Sequence, residues 1–207
     1  MSIDFSKVTA LTIPEGNVRQ ITDSSGRVLW SAARVVSLTN LLPALSASSY
    51  TLSEGYGEFS TAHTKYASAS AKLTGTADTY EVFLYSPAIT VDPTHIYYAR
   101  AEVYMETVIQ NFDFYWPVAE PKFFRSVPTT AGQWCTLSAV VSRTDFTVGS
   151  YEVRFDFNNR NTAGAAWIDG LMIIDLTAAF GSGNEPTAEF CDAIPYFTGT
   201  YEYRYTT

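Results

Sequence analysis

The stretch Ala166-Trp-Ile-Asp-Gly-Leu-Met-Ile-Ile-Asp-Leu-Thr-Ala-Ala-Phe-Gly-Ser-Gly-Asn-Glu-Pro-Thr187 decides how the rest of the chain is interpreted. Its first part, up to Ile174, is an almost unbroken apolar run of the kind that predicts a β-strand buried on both faces. Asp169 and Asp175 lie near the two ends of this run, and simple alternation places both carboxylates on the same face of the strand. We expect this strand to close a β-domain.

A loop and one short helix are predicted after this strand. Gly181 and Gly183 permit the positive φ angles of a tight loop, and Pro186 stops any continuation of regular structure. The side chain of Thr187 can then cap a short helix by accepting a hydrogen bond from a backbone N–H of its first turn.

Upstream of this stretch, residues 38–176 consist of short alternating segments separated by turn signals. Strands are predicted at Tyr80–Tyr85, His95–Glu106, Gln110–Trp116, Phe123–Val127, Trp134–Val141, Tyr151–Phe157 and Ala166–Asp175. Short strands at this spacing are typical of a sandwich of two antiparallel sheets. Trp134 and Trp167, each on a predicted strand, are expected to anchor the core.

The two ends of the chain form separate segments. Residues 8–13, 18–22 and 27–30 alternate and predict a three-stranded β-meander, followed by a linker over residues 31–37. The meander has too few apolar residues for a core of its own, so we expect it to pack against another surface. Residues 196–205 alternate aromatic with polar side chains and predict a last strand or hairpin.

The composition argues against several classes of partner. The 207 residues carry a net charge of −8 with scattered Lys and Arg, whereas nucleic acids and anionic membrane surfaces bind clustered cations. Neither a membrane-spanning segment nor a signal peptide is expected. Cys135 and Cys191 lie far apart without a Cys or His at ligand spacing, so we predict that both are buried free thiols.

We expect no catalytic activity, because the chain lacks the motifs of the common enzyme classes. Its two histidines, His63 and His95, have no nucleophile motif nearby, and neither Gly-x-Ser-x-Gly nor His-Glu-x-x-His occurs. A glycosidase that uses two carboxylates alone stays open as an alternative.

Aromatic residues, which make up 15 % of the chain, are the stronger indication of function. The apolar sides of the strands are expected to fill the core, and the polar sides to face solvent or a ligand. Aromatic rings stack on the apolar faces of sugars, and sugar hydroxyls bind charged and amide groups. The residues predicted to bind a glycan are Tyr104, Tyr115, Arg154 and Asp156.

Residues 38–176 resemble the jelly-roll carbohydrate-binding modules attached to many glycosidases. The resemblance rests on the motifs Asn40-Leu-Leu-Pro43, Gly132-Gln-Trp-Cys-Thr136 and Trp167-Ile-Asp-Gly-Leu171. In such modules an Asp at the position of Asp169 often contributes to a structural Ca²⁺ site, which makes Asp169 the candidate calcium ligand. Gly170 stands where the pattern has a second Asp, and Asp169 would otherwise bind backbone N–H groups in a turn. The resemblance implies no other cofactor.

Two further segments resemble structural proteins of bacteriophages and prophages. Residues 8–30 are similar to a short opening module of such proteins, and residues 166–187 to the end of a jelly-roll module in tail and baseplate proteins. The resemblance implies a non-enzymatic virion protein, assembled in the bacterial cytoplasm, that mediates attachment through its jelly roll. Implied partners are other virion proteins, a host surface glycan and further copies of the chain, with a trimer as the expected symmetry. The alternatives are an architectural or decoration protein of the virion without a ligand, and a fragment of a carbohydrate-active enzyme.

The combined prediction is an all-β fold. It is an antiparallel jelly-roll β-sandwich with a small N-terminal β-meander and one short C-terminal helix. Residues 1–34 would form a module for docking or oligomerisation, residues 35–178 the jelly-roll domain, and residues 179–207 a C-terminal loop, helix and final strand.

Overall fold

The computed structural model describes residues 20–22, 25, 28–31, 33–79, 81–108, 112–116, 124–126, 130–142, 144–157 and 163–206. The chain divides into two compact units, Ser37–Tyr201 and a smaller unit of Met1–Val36 with Glu202–Thr207. The division of the chain at residues 34 and 178 stays a prediction. Among the described residues, no helix has the length and hydropathy that crossing a membrane requires.

Sixteen strands and two short helices make up the regular structure of the described residues. The strands are β1 Gln20–Thr22, β2 Val28–Ser31, β3 Ala33–Thr39, β4 Thr51–Leu52, β5 Gly57–Ser60, β6 Ser70–Gly75, β7 Val82–Tyr85, β8 Ile89–Val91, β9 Ile96–Met105, β10 Phe112–Tyr115, β11 Phe124–Ser126, β12 Trp134–Ser142, β13 Gly149–Tyr151, β14 Arg154–Phe157, β15 Gly164–Asp175 and β16 Thr200–Thr206. The helices are α1 Leu176–Phe180 and α2 Ala188–Asp192.

Two five-stranded antiparallel sheets form a jelly-roll β-sandwich, which confirms the predicted all-β fold. The first sheet has the order β11-β10-β14-β7-β4 and the second the order β12-β9-β15-β6-β5. Side chains of both sheets meet in one buried core, which includes Val82, Leu84, Phe112, Phe114, Phe155 and Phe157 of the first sheet and Leu73, Ala99, Ala101, Val103, Ile168, Leu171 and Ile173 of the second. The inner faces of the two sheets therefore pack against each other and exclude water, because the apolar side chains that alternate along these strands point inward.

Several elements were not predicted from the sequence. Residues 33–37, assigned to a linker, belong to strand β3, which pairs with β16. The short strands β4, β5, β6, β8 and β13 were also missed. Strands β5 and β6 contain Gly, Ser and Lys, which have low β-propensity, so their pairing depends on the sheet around them.

A β-bulge at Gly170 changes the parity of the closing strand β15. The register of β15 with β9 shifts between Asp169, opposite Glu102, and Met172, opposite Arg100. Gly170 has a φ angle of 59°, which glycine adopts without strain. Because Leu171 faces the core after the bulge, Asp169 lies on the outer face and Asp175 on the core side. The expectation that both carboxylates share one face is wrong for this reason.

The segment after β15 contains two helices rather than one. The predicted cap is confirmed: the Thr187 hydroxyl oxygen accepts a hydrogen bond of 3.4 Å from the backbone N–H of Phe190, in helix α2. Helix α1 was not predicted. It begins directly after the strand because the Asp175 carboxylate accepts a hydrogen bond of 2.8 Å from the backbone N–H of Ala178.

The two tryptophans expected in the core lie on the outer face of the second sheet. Trp134 and Trp167 are each opposite Tyr104 in the register, whereas Cys135 is opposite Val103, which faces the core. Trp167 is buried as predicted, but Trp134 is only half-buried and is no core anchor. Strand parity explains the difference, because the inner face of β12 belongs to Cys135 and its alternating neighbours.

Both cysteines are free thiols, as predicted. Cys191 is completely buried, and burial raises the pKa of its thiol to about 12, so it is unreactive at neutral pH. Cys135 is half-buried instead of buried.

In the smaller unit, β1 and β2 form an antiparallel pair in which Gln20 is opposite Ser31 and Ile21 is opposite Trp30. These two strands of the predicted meander are confirmed. The third, over residues 8–13, lies outside the described residues.

Candidate functional site

The outer face of the first sheet gathers charged and aromatic side chains. Strand alternation turns Phe155 and Phe157 inward, so that Arg154 and Asp156 of the same strand point outward. Across the pair, Tyr115 is opposite Arg154 and Asp113 is opposite Asp156. We call this surface the Arg154 face, formed by Glu81, Phe83, Tyr85, Asp113, Tyr115, Arg154 and Asp156.

The guanidinium of Arg154 is the centre of this face. Its Nε donates a hydrogen bond of 2.6 Å to Asp156, its Nη2 donates to the second oxygen of the same carboxylate, and Nη2 also donates to Glu81 at 3.1 Å. The guanidinium carbon lies 4.7 Å from the ring centroid of Tyr115 and 5.3 Å from that of Phe83. Two carboxylates and two aromatic rings therefore hold the guanidinium in one position.

Burial strengthens this arrangement. Asp113 and Asp156 are completely buried and Tyr115 is 5 % exposed, so these three side chains do not face solvent, which was one of the two possibilities expected for the polar sides. Burial raises the pKa of Asp156, and the hydrogen bonds from Arg154 oppose that rise. The same hydrogen bonds raise the pKa of Arg154 above its ordinary value. The guanidinium thus stays charged, and it is the counter-charge that a buried carboxylate needs.

Four side chains of the Arg154 face are partly accessible to solvent. Phe83, Tyr85, Glu81 and Arg154 are half-buried, and the rings of Phe83 and Tyr85 meet edge to face with centroids 5.0 Å apart. Planar rings next to fixed charged groups can hold a ligand that has both an apolar face and hydroxyl groups.

The structure brings together three of the four residues predicted to bind a glycan. Tyr115, Arg154 and Asp156 share the Arg154 face, whereas Tyr104 lies on strand β9 of the other sheet. Glu81, Phe83 and Tyr85 were missed in the sequence. They belong to the strand predicted at residues 80–85, and its alternation would have placed Phe83 and Tyr85 on the outer face opposite Val82 and Leu84.

Tyr104 belongs to a second aromatic group, on the outer face of the second sheet. Its ring stacks on His63 with centroids 3.9 Å apart and an interplanar angle of 20°. Trp167 meets both rings edge to face, 4.5 Å from His63 and 5.8 Å from Tyr104. Trp134 lies 5.8 Å from Tyr104, tilted by 56°. We call these four residues the Trp134 cluster.

The surroundings of Asp169, the candidate calcium ligand, consist of hydrogen-bond donors. Its carboxylate is fully buried and accepts from the backbone N–H groups of Lys65 at 2.8 Å, Tyr66 at 2.9 Å and Ala67 at 3.2 Å, and from that of Gly170 at 2.7 Å. Ca²⁺ instead requires six to eight oxygen ligands, and the described residues contain no group of three or more acidic, His or Cys side chains that could hold a metal ion. The donor set therefore does not fit calcium.

Comparisons with known proteins find similar folds and identify no family for this chain. No family model and no curated protein matches the sequence. An arabinose-bound GH51 α-L-arabinofuranosidase matches with a TM-score of 0.50 at 13 % identity, over 76 % of this chain and 29 % of that enzyme. A CBM4 module matches with a TM-score of 0.46 at 9 % identity, over 61 % of this chain and 94 % of the module. The CBM22-2 xylan-binding domain of Xyn10C from Paenibacillus barcinonensis matches with a TM-score of 0.46 at 10 % identity, over 63 % of this chain and 93 % of that domain. At these identities the similarity concerns the fold alone.

Proposed function

We propose that this chain is a glycan-binding protein without catalytic activity and that the Arg154 face binds the glycan. One observation supports this proposal above all: half-buried aromatic rings lie beside a guanidinium that two carboxylates hold in place. The rings of Phe83 and Tyr85 would stack on the apolar face of a sugar. Arg154 and Glu81, both half-buried, would bind its hydroxyls.

Tyr115 and Asp156 act in this proposal through Arg154 rather than by touching the sugar. Both are almost completely buried, and both contact the guanidinium. Fixing the guanidinium before binding lowers the entropy lost when the complex forms. Tyr115 and Asp156 are therefore positioning residues for the glycan contact.

The virion role is a further part of the proposal. It is supported by the resemblance of residues 8–30 and 166–187 to segments of phage structural proteins. The chain would attach a virion to a host surface glycan, with the first 34 residues docking to other virion proteins or to further copies of the chain. Co-purification with virion proteins would support this role. A chain that enters particles but binds no glycan would instead be an architectural protein.

The glycan proposal is tested by affinity electrophoresis of the full chain through gels that contain neutral polysaccharides such as xylan, arabinan, mannan and mixed-linkage β-glucan. We expect at least one polysaccharide to retard the wild type, and Phe83→Ala and Tyr85→Ala to reduce the retardation. The matched control is Tyr56→Ala, since Tyr56 is an exposed tyrosine outside the Arg154 face.

Equal retardation of all four proteins would contradict a role of the Arg154 face. Release of reducing sugar from any of these polysaccharides would favour the alternative of an enzyme fragment. Thermal unfolding of each variant shows whether a lost interaction reflects a lost fold.

A further inference from the structure

The Trp134 cluster places aromatic rings where a sandwich usually has polar residues. Trp134, Tyr104 and Trp167 are in register across three neighbouring strands, β12, β9 and β15, on the outer face of the second sheet. His63 comes from the segment between β5 and β6 and packs on two of the three rings. The core does not account for this group, because none of its four members contributes to the buried cluster between the sheets.

The rings of this cluster differ in their exposure. Trp167 is 3 % exposed, while Trp134, Tyr104 and His63 are each half-buried. Trp167 lies beneath His63 and the Lys72 ammonium, whose nitrogen is 5.7 Å from its ring centroid. Tyr104 is covered by His63 on one side, and Trp134 touches the cluster only at the edge next to Tyr104. Trp134 lies on the edge strand β12 and is half-buried, so part of its ring is accessible to a ligand.

Polar groups that could bind hydroxyls surround these rings. The Nε2 of His63 lies 3.6 Å from a carboxylate oxygen of Glu106, and Glu106 is exposed. The charges of Lys72 and Glu58 pair with each other at 2.7 Å. Among the described residues, the surroundings thus offer donors and acceptors around an aromatic surface, and the nearby cation Lys72 is already paired with Glu58.

We infer that the Trp134 cluster is a second glycan-binding site, which takes a neutral sugar ring on the face of Trp134. His63 and Glu106 bind the hydroxyls of that sugar. The site lies on the opposite outer face of the sandwich from the Arg154 face, so one chain holds two sugar units independently. The inference does not require that the Arg154 face binds a glycan.

Tryptophan fluorescence separates the two sites. The Arg154 face contains Phe and Tyr but no Trp, and the other two described tryptophans of the Ser37–Tyr201 unit, Trp116 and Trp167, are buried. The full chain is titrated with soluble xylan, arabinan, mannan and mixed-linkage β-glucan. A sugar at the Trp134 cluster changes the fluorescence, and this change is expected to persist in Phe83→Ala and Tyr85→Ala.

Two substitutions of Trp134 complete the test. Trp134→Phe keeps an aromatic ring, so it is expected to remove the fluorescence change and retain binding in affinity gels. Trp134→Ala in the Phe83→Ala background is expected to raise the dissociation constant at this site about tenfold or more, as loss of an aromatic anchor does. Val140→Ala is the matched control, because Val140 is exposed on the same face of the same strand.

Three results would overturn the inference. In the first, no polysaccharide of the panel changes the fluorescence. In the second, Trp134→Ala leaves the residual binding of the Phe83→Ala variant intact. In the third, choline changes the fluorescence and the polysaccharides do not, which would assign the cluster to a quaternary ammonium ligand. Retardation that Phe83→Ala and Tyr85→Ala leave unchanged, together with an intact fluorescence change, would contradict only the proposed function.

Discussion

At the scale of single residues, Asp169 shows how a buried carboxylate can organise a loop. The backbone of residues 65–67 turns its N–H groups toward one side chain on strand β15, more than a hundred residues later in the chain. These N–H groups would be buried without partners if the carboxylate were absent. The motif around Asp169 predicted that its carboxylate binds either a calcium ion or backbone N–H groups. Which of the two it binds depends on a contact between distant segments of the chain, which the motif does not contain.

Asp169→Asn is expected to lower the free energy of unfolding by about 2–3 kcal/mol, because the amide NH₂ would face backbone donors in place of a charged acceptor. Asp78→Asn, at an exposed position, is the control and should change stability little. Urea unfolding followed by circular dichroism measures both. EDTA should leave the midpoint of the wild type unchanged. A fall in this midpoint that Asp169→Asn abolishes would instead establish a calcium site.

His95 links the start of β9 to the end of β15. Its Nδ1 lies 2.7 Å from Asp175, the cap of helix α1. The hydrogen bond to Asp175 is the main cause that raises the pKa of His95; partial burial opposes it, and the charges of Asp175, Asp92 and Glu185 add to it. Since the folded pKa is above the unfolded one, the stabilisation is complete below about pH 6.5 and is lost as the pH rises through the folded pKa.

His95→Gln should therefore destabilise the protein at pH 5.5 and have a smaller effect at pH 8.5. Urea midpoints of both proteins across this range provide the measurement. Identical pH dependence of the two midpoints would show that the pair with Asp175 contributes nothing to stability.

At the scale of elements, the alternation of apolar and polar residues predicted which side chains face the core in regular strands. It failed where a strand is irregular. The apolar sides of the strands were expected to fill the core, and Phe112 and Phe114 lie there, because period two fixes the face of every side chain in a regular strand. The bulge at Gly170 breaks that period and separates Asp169 from Asp175. A glycine inside an apolar run is a signal for a bulge that the sequence offered. The parity of β12 also had a local signal, since Cys135 alternates with apolar residues and thereby turns Trp134 outward, but the assignment of Trp134 to the core did not follow it.

Gly170→Ala should be the most damaging of the glycine substitutions around this strand. A Cβ there would lie 2.8 Å from Tyr66 and 2.9 Å from Glu102, in addition to the strain of a φ angle of 59°. We expect a loss of about 3 kcal/mol or more. Gly183→Ala isolates the backbone effect, because its φ angle is 82° but nothing lies within 4 Å of the added Cβ, and it should cost about 1 kcal/mol. Equal losses in the two variants, measured by thermal unfolding, would show that the close packing at Gly170 is unimportant.

At the scale of the Ser37–Tyr201 unit, the outer face of the second sheet depends on residues near the end of the chain. Arg100, which is 8 % exposed, donates from Nη1 to the carbonyl oxygen of Ile194 at 3.0 Å and forms an ion pair with the buried Glu102. The hydroxyl of Tyr98 donates to Asp192 at 2.8 Å. Local sequence patterns gave no indication of the contacts with Ile194 and Asp192, because each joins positions 94 residues apart. They are the reason why we expect residues after the predicted boundary at residue 178 to contribute to the stability of the jelly roll.

Residues 37–201 should consequently form a more stable protein than residues 37–180. The shorter chain loses the Asp192 carboxylate that accepts from Tyr98, the Ile194 carbonyl that accepts from Arg100, the burial of Cys191 and Ile194, and the Phe197 carbonyl that accepts from Asn40 at 3.1 Å. Burying two or three apolar side chains of this size contributes on the order of 5 kcal/mol, and the loss of these hydrogen bonds from buried groups adds to it. The total stability of a domain is only about 5–15 kcal/mol. We therefore expect residues 37–201 to unfold cooperatively in urea and residues 37–180 to be largely unfolded, with near-ultraviolet circular dichroism as the measure of fixed aromatic packing. Equal urea midpoints would instead show that the sandwich is complete at residue 180 and would support the boundary predicted at residue 178.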